Sequence, residues 1–113
     1  MAGVTLDAVV STQPVEHAFG ARQWCRDTAS VPWSRIDGVL IASAAHSHYQ
    51  LACEGIQRGI PVLVEKPLAT SAFEARCISK LARKHDVLVM VALVHVFSEA
   101  FTVLRQRLAR QRI

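Results

Sequence analysis

Pro61-Val62-Leu63-Val64-Glu65-Lys66-Pro67 passes from an aliphatic, β-branched run directly into two opposite charges and a proline. A short, continuous apolar run of this kind predicts a strand inside a parallel sheet, where a strand with one wet face would alternate. Pro67 has no N–H and a fixed φ, so it ends the strand and holds Lys66 extended. Three further runs read as strands in the same way: Val4 to Val10, Val39 to Ser43 and Val87 to Val94. The last two, like the central one, are nearly continuous in Val, Leu, Ile, Met and Ala, which predicts cover on both faces of the sheet.

Helical spacing fills the gaps. Ser47 to Arg58 sets Leu51, Cys53 and Ile56 on a periodic face with Gly59 as a stop, and Ser71 to His85 does so with Phe73, Cys77, Ile78 and Leu81. Ser71 followed by Glu74 predicts a capping box, hydroxyl and carboxylate each accepting from a free backbone amide. A helix broken near Gly20 is expected after Pro14, and a last one over Ser98 to Arg112 with Phe101, Leu104 and Leu108 in one stripe. Asp27 to Ser34 is the one evident loop of any length. The order β-α-β-α-β-α-β-α predicts an α/β fold with a doubly wound parallel sheet. In such sheets ligands bind beyond the carboxyl ends of the strands. That rule selects Ser43 to His48, Glu65 to Pro67 and Val94 to Phe97.

The 113 residues suit a single compact unit, and 51% hydrophobic with 19% charged suits a packed interior. The net charge of +4 equals the charge of Arg105, Arg107, Arg110 and Arg112 alone, because the other nine Lys and Arg balance nine Asp and Glu. A basic end without interleaved aromatics or a base-reading motif gives no reason to expect nucleic acid as a partner. No apolar run approaches the 18 residues of a membrane span, and the first residues lack the basic flank of an export signal. Cys25, Cys53 and Cys77 are odd in number and widely spaced, so neither a disulfide framework nor a zinc site is expected. Reduced thiols in a cytoplasmic protein are.

At the first strand end, Ser43-Ala44-Ala45-His46-Ser47-His48 combines small residues with a helix start, where a ligand can approach the backbone and amides favour an anion. His46 and His48 are two apart, the wrong spacing for a shared metal on one helical face; either could equally cap the helix or sit half-buried. Glu65 and Lys66 could likewise be a solvated strand end. His95 lies at the third strand end.

Together, Ala42-Ser43-Ala44-Ala45-His46-Ser47-His48-Tyr49-Gln50-Leu51-Ala52 and Gly59-Ile60-Pro61-Val62-Leu63-Val64-Glu65-Lys66-Pro67-Leu68-Ala69 resemble the signature of the Gfo/Idh/MocA oxidoreductase family. The likeness runs from about Val4 to Leu108, with its specificity in Ala42 to Ala69. It implies a partial NAD(P)-binding Rossmann-like domain over residues 1–113. It implies Lys66 as the catalytic residue beside the nicotinamide, its charge stabilising oxyanion character during hydride transfer. Glu65 would meet the nicotinamide ribose or hold Lys66. Ser43, Ala44, His46 and His48 would line the cofactor, and His95 would stand on the nicotinamide or substrate side. The implied substrate is a sugar, polyol or related hydroxy compound.

Residues 1–113 depart from that family in several places. No Gly-x-Gly-x-x-Gly turn occurs, and Val4 to Val10 aligns with the family's second strand, so the first strand, phosphate loop and first helix are expected to be missing. Ser11 and Thr12 stand where an acidic residue would grip the ribose, which suits NADP better than NAD; either cofactor remains open. Ala44-Ala45 replaces Pro-Pro, and Val96-Phe97 replaces Arg-Phe. A sheet without its central strand exposes edges, which predicts a homo-oligomer. Two functions follow: the cofactor-domain portion of an oxidoreductase, or a non-catalytic remnant serving as an oligomerisation or interaction module.

Overall fold

A computed structural model of the chain describes residues 3–110. The fold falls into two compact units, Met1–Asp37 and Gly38–Ile113, where composition led to the expectation of one.

In the first unit, β1 (Ala8–Val10) pairs in parallel with β2 (Gln23–Cys25), Ala8 opposite Gln23 and Val10 opposite Cys25. β2 is absent from the sequence reading. It is a three-residue strand of Gln, Trp and Cys, and it exists because the β1 backbone is there to pair with it, as Ser11 N–H donating to the Cys25 carbonyl at 3.0 Å illustrates. The helix expected after Pro14 is corrected to a 3-10 turn, Glu16–Gly20, in which Ala18, Phe19 and Gly20 all take positive φ. Three successive left-handed residues cannot continue a right-handed helix. The expected loop after Asp27 contains two 3-10 turns, Thr28–Ser30 and Trp33–Arg35, the first capped by the Asp27 carboxylate accepting from the Ser30 N–H at 3.1 Å. Asp7 accepts from Arg22 at 3.4 Å and from Arg35 at 2.9 Å, tying the unit's beginning to its end.

The second unit holds a parallel three-stranded sheet in the order β3 (Val39–Ile41), β4 (Val62–Val64), β5 (Val89–Val91). The expected β-α-β-α-β succession appears here, with α1 (Ala45–Gln57) and α2 (Ala72–His85) as the crossovers. Both helices pack on one face. Ile41, Val62 and Val64 meet Ala52 and Ile56 of α1 and Ile78 and Ala82 of α2 in a single buried cluster.

The expectation of cover on both faces is corrected. Leu40, Leu63 and Met90 are register partners across the other face, and they are 65%, 36% and 47% exposed. Period-2 geometry places alternate residues on opposite faces, and both described crossover helices lie on the valine side. A continuous apolar run therefore identified buried strands without showing that only one face is packed.

Local chemistry sets the helix ends. Gly59, at φ +74°, stops α1, with Ile60 N–H reaching back to the Gly55 carbonyl at 3.0 Å. Ser71 caps α2 as expected, accepting from the Glu74 N–H at 3.2 Å. The Glu74 carboxylate reaches one residue further back than a standard capping box, to Thr70, accepting from its N–H at 3.1 Å and its hydroxyl at 2.8 Å. Asp86 closes α2 in the left-handed conformation, behind Arg83, Lys84 and His85, whose cationic or polarisable side chains suit the negative helix end. The last helix, α3 (Glu99–Arg110), is shorter than expected, and the Arg112 end of that expectation lies outside the described residues.

Candidate functional site

Parallel register brings the three sequence-selected segments to one end of the β3-β4-β5 sheet. Ile41, Val64 and Val91 are aligned partners. The ladder extends one step beyond each pair: Glu65 N–H donates to the Ile41 carbonyl at 2.8 Å, and Ala92 N–H donates to the Val64 carbonyl at 2.8 Å. The segments that begin at Ala42, Glu65 and Ala92 therefore leave the sheet on the same edge.

At the β3 end, Ser43 and Ala44 are exposed, and Ala44 is the α1 N-cap with no side-chain cap bond. An alanine there leaves the first-turn amides without a side-chain acceptor, while the small side chain keeps them approachable by an external anion. The Ser43 and Ser47 hydroxyls lie 2.6 Å apart, and Ser47 Oγ donates to the Ala44 carbonyl at 2.7 Å. His46 is exposed on the first turn of α1. His48, two residues on, is turned fully inward.

On the turn after β4, Glu65 is half-buried while Lys66 and Pro67 are exposed. The Lys66 N–H donates to Glu65 Oε2 at 3.3 Å, so the carboxylate folds back over its own turn. The Lys66–Pro67 peptide is cis. His95 lies in a 3-10 turn, Val94–Phe97, and is exposed; its carbonyl accepts from the Ser98 N–H at 3.1 Å and hydroxyl at 2.9 Å. Ser43, Ala44, His46, Lys66 and His95 thus reach solvent at the carboxyl end of the sheet, Glu65 partly so, and His48 stands beneath.

Other reactive-looking groups are accounted for elsewhere. The Cys53 and Cys77 thiols push the Tyr49 hydroxyl up from its ordinary pKa, and burial pushes the Cys53 thiol up, so at neutral pH neither Tyr49 nor Cys53 offers an ionised nucleophile. No group of three or more metal-binding side chains forms among the described residues. A groove of about 410 Å³ between α2 and β5 is lined by Ile78, Ala82, Val87 and Val89 among others, and by none of the candidate residues. No helix among the described residues is long and apolar enough to cross a membrane.

The arrangement is that of an open parallel sheet offering a cation and approachable helix amides at the carboxyl end of its strands. Residues 3–93 match the model of an oxidoreductase family with an NAD-binding Rossmann fold, and the chain belongs to that family. It is 31% identical over 97 residues to inositol 2-dehydrogenase 2 of Saccharopolyspora erythraea, covering 85% of this chain and 29% of the relative. It is 38% identical over 52 residues to the rhizopine catabolism protein MocA of Rhizobium meliloti, covering 46% of this chain and 16% of that one. The crystal structure of an NAD-binding oxidoreductase from Klebsiella pneumoniae superposes with a TM-score of 0.83 at 29% identity, covering 94% of this chain and 30% of its own. The chain thus spans less than a third of the length of these relatives.

The family's described cofactor is NAD. Ser11 and Thr12, whose hydroxyls suggested NADP, follow β1, and Ser11 Oγ accepts from the Gln13 N–H at 3.4 Å.

Proposed function

We propose that the chain is the nucleotide-binding portion of an NAD-dependent oxidoreductase acting on a sugar, polyol or related hydroxy compound by hydride transfer. The observation that carries this reading is the exposed Lys66 on a turn aligned with the Ser43-Ala44 helix start at the carboxyl end of the same sheet. The inositol dehydrogenase among the relatives supports a polyhydroxylated substrate.

The residues present suit the nicotinamide end of NAD. Gly3, Gly20, Gly38, Gly55 and Gly59 form no glycine-rich phosphate cradle, so residues 3–110 do not fit the pyrophosphate equally well. When bound, NAD supplies hydride acceptance and return at its nicotinamide. The chain's own contribution is binding and electrostatics. The Lys66 ammonium would hydrogen-bond the substrate oxygen and stabilise the negative charge that oxygen gains when hydride reaches a carbonyl carbon, and the Glu65 carboxylate would brace the turn and accept from a ribose hydroxyl. Ser43, Ala44 and His46 line the cofactor beside the α1 amides, with His48 buried beneath them and out of its reach, and His95 stands on the nicotinamide or substrate side.

Calorimetric titration with NAD+ and NADH tests the assignment. Binding is expected, and Lys66→Ala should weaken it about tenfold to a hundredfold, the range for losing one hydrogen bond to a charged group. No heat of binding at about millimolar cofactor would reject it in favour of a non-catalytic interaction module.

Self-association and a cytoplasmic setting belong to the same reading. The Leu40-Leu63-Met90 row and the exposed Phe101, Leu104 and Leu108 of α3 supply uncovered apolar surface that a second copy would bury. Cys25, Cys53 and Cys77 are all free thiols, which suits a reducing compartment. Light scattering at micromolar concentration is expected to give a mass of two or more chains, lowered by Leu40→Lys. A monomer at that concentration removes the oligomer from the proposal.

A further inference from the structure

His48 is the one buried polar or charged side chain among the described residues, with 0% exposure. Its Nδ1 lies 2.7 Å from the Pro67 carbonyl oxygen and its Nε2 lies 3.0 Å from the Ser43 carbonyl oxygen. We propose that His48 is the positioning residue for the Glu65-Lys66-Pro67 turn. Its effect on cofactor rests on the function proposed above; its hold on the turn does not.

The argument is one of donors and acceptors. A main-chain carbonyl has lone pairs and no proton, so a hydrogen bond to it needs a proton on the partner. The ring of His48 brings a nitrogen within hydrogen-bond distance of each of two carbonyls, and a polar group buried without a partner destabilises whatever holds it.

The surroundings supply no competing partner. His46 and Tyr49 flank the residue on α1, and Glu65 and Lys66 precede Pro67 on the facing turn. The Glu65 carboxylate accepts from the Lys66 N–H, and both ring nitrogens of His48 already point at carbonyls. The two acceptors are 5 and 19 positions away in sequence. One ring therefore joins the end of β3 to the turn after β4, and it fixes the residue immediately following Lys66. Without it, Lys66 would still emerge from β4, but the carbonyl that anchors its turn to α1 would have no donor.

Amide hydrogen exchange of the whole chain reads the hold directly: the Leu68 and Ala69 amides are expected to exchange faster in His48→Leu than in the parent. Unchanged exchange there would overturn the proposal. His48→Leu, which keeps bulk and removes both donors, should weaken NAD about tenfold, and His48→Gln, which retains an amide donor, should recover part of the loss. Equal affinity in His48→Leu and the parent would show that the ring does not position the turn. If His48→Leu fails to fold, the Gln variant decides positioning. If the parent does not bind NAD, the proposed function fails, while exchange protection of the Leu68 and Ala69 amides in His48→Gln still tests the hold on the turn.

Discussion

Ile56→Ala is expected to lower the unfolding free energy by about 2–5 kcal/mol, the cost of losing a buried aliphatic side chain and leaving a cavity. Ile56 is 0% exposed and belongs to the cluster that holds α1 and α2 on the sheet. Against a total stability of about 5–15 kcal/mol for a typical domain, the loss is a large fraction of the whole. Urea unfolding followed by far-ultraviolet circular dichroism measures it through the midpoint at constant slope. A change below about 0.5 kcal/mol, the range of ordinary surface substitutions, would mean that this face of α1 is not packed as described. Because α1 begins at the Ser43-Ala44 turn, the same variant should also loosen that turn.

Gly55→Val should also be destabilising, by less and for the opposite reason. A Cβ at position 55 would meet Val62 Cγ2 at 2.9 Å, closer than real Cβ atoms come, and Val39 Cγ2 at 3.9 Å. Glycine inside a helix is itself unfavourable by about 0.5–1 kcal/mol relative to alanine. Its presence is explained by the close approach of α1 to β3 and β4. Valine recovers part of the helix penalty but adds methyls where the sheet already stands, and overpacking of this kind costs about 1–3 kcal/mol. The net expectation is destabilisation of about 1–2 kcal/mol, read from the same denaturation curves. A Gly55→Ala control should lie near neutrality, since its gain in helix propensity and its single tight contact have opposite signs. A stabilised Gly55→Val variant would contradict the helix-to-sheet spacing.

The legible parts of the fold were those whose structure is written locally. Val62-Leu63-Val64 and Val39-Leu40-Ile41 could be recognised as strands because β-branched runs declare themselves. Ser71 declared a helix start, and Gly59 a stop. Gln23-Trp24-Cys25 could not be recognised, because its pairing with Ala8–Val10 depends on a partner and not on its own pattern. The failure at Glu16–Gly20 is of the same type, since left-handed conformations at Ala18 and Phe19 are not encoded by residue types that prefer them. Lys66 and Glu65 were legible as charges released at the end of an apolar run. The inward turn of His48 was not: it is fixed by carbonyls of Ser43 and Pro67 that come within reach only once β3 and β4 are in register. The bare face carrying Leu40, Leu63 and Met90 was hidden for a related reason, as apolarity shows what could be covered but not by what.

Gly59 at the close of α1 and Asp86 at the close of α2 both lie where the chain re-enters the sheet, opposite the edge that carries Ser43, Glu65 and Lys66. The turns that end the helices and the turns that carry the candidate residues thus lie a full strand length apart, so a substitution that alters a helix stop touches none of the candidate residues directly.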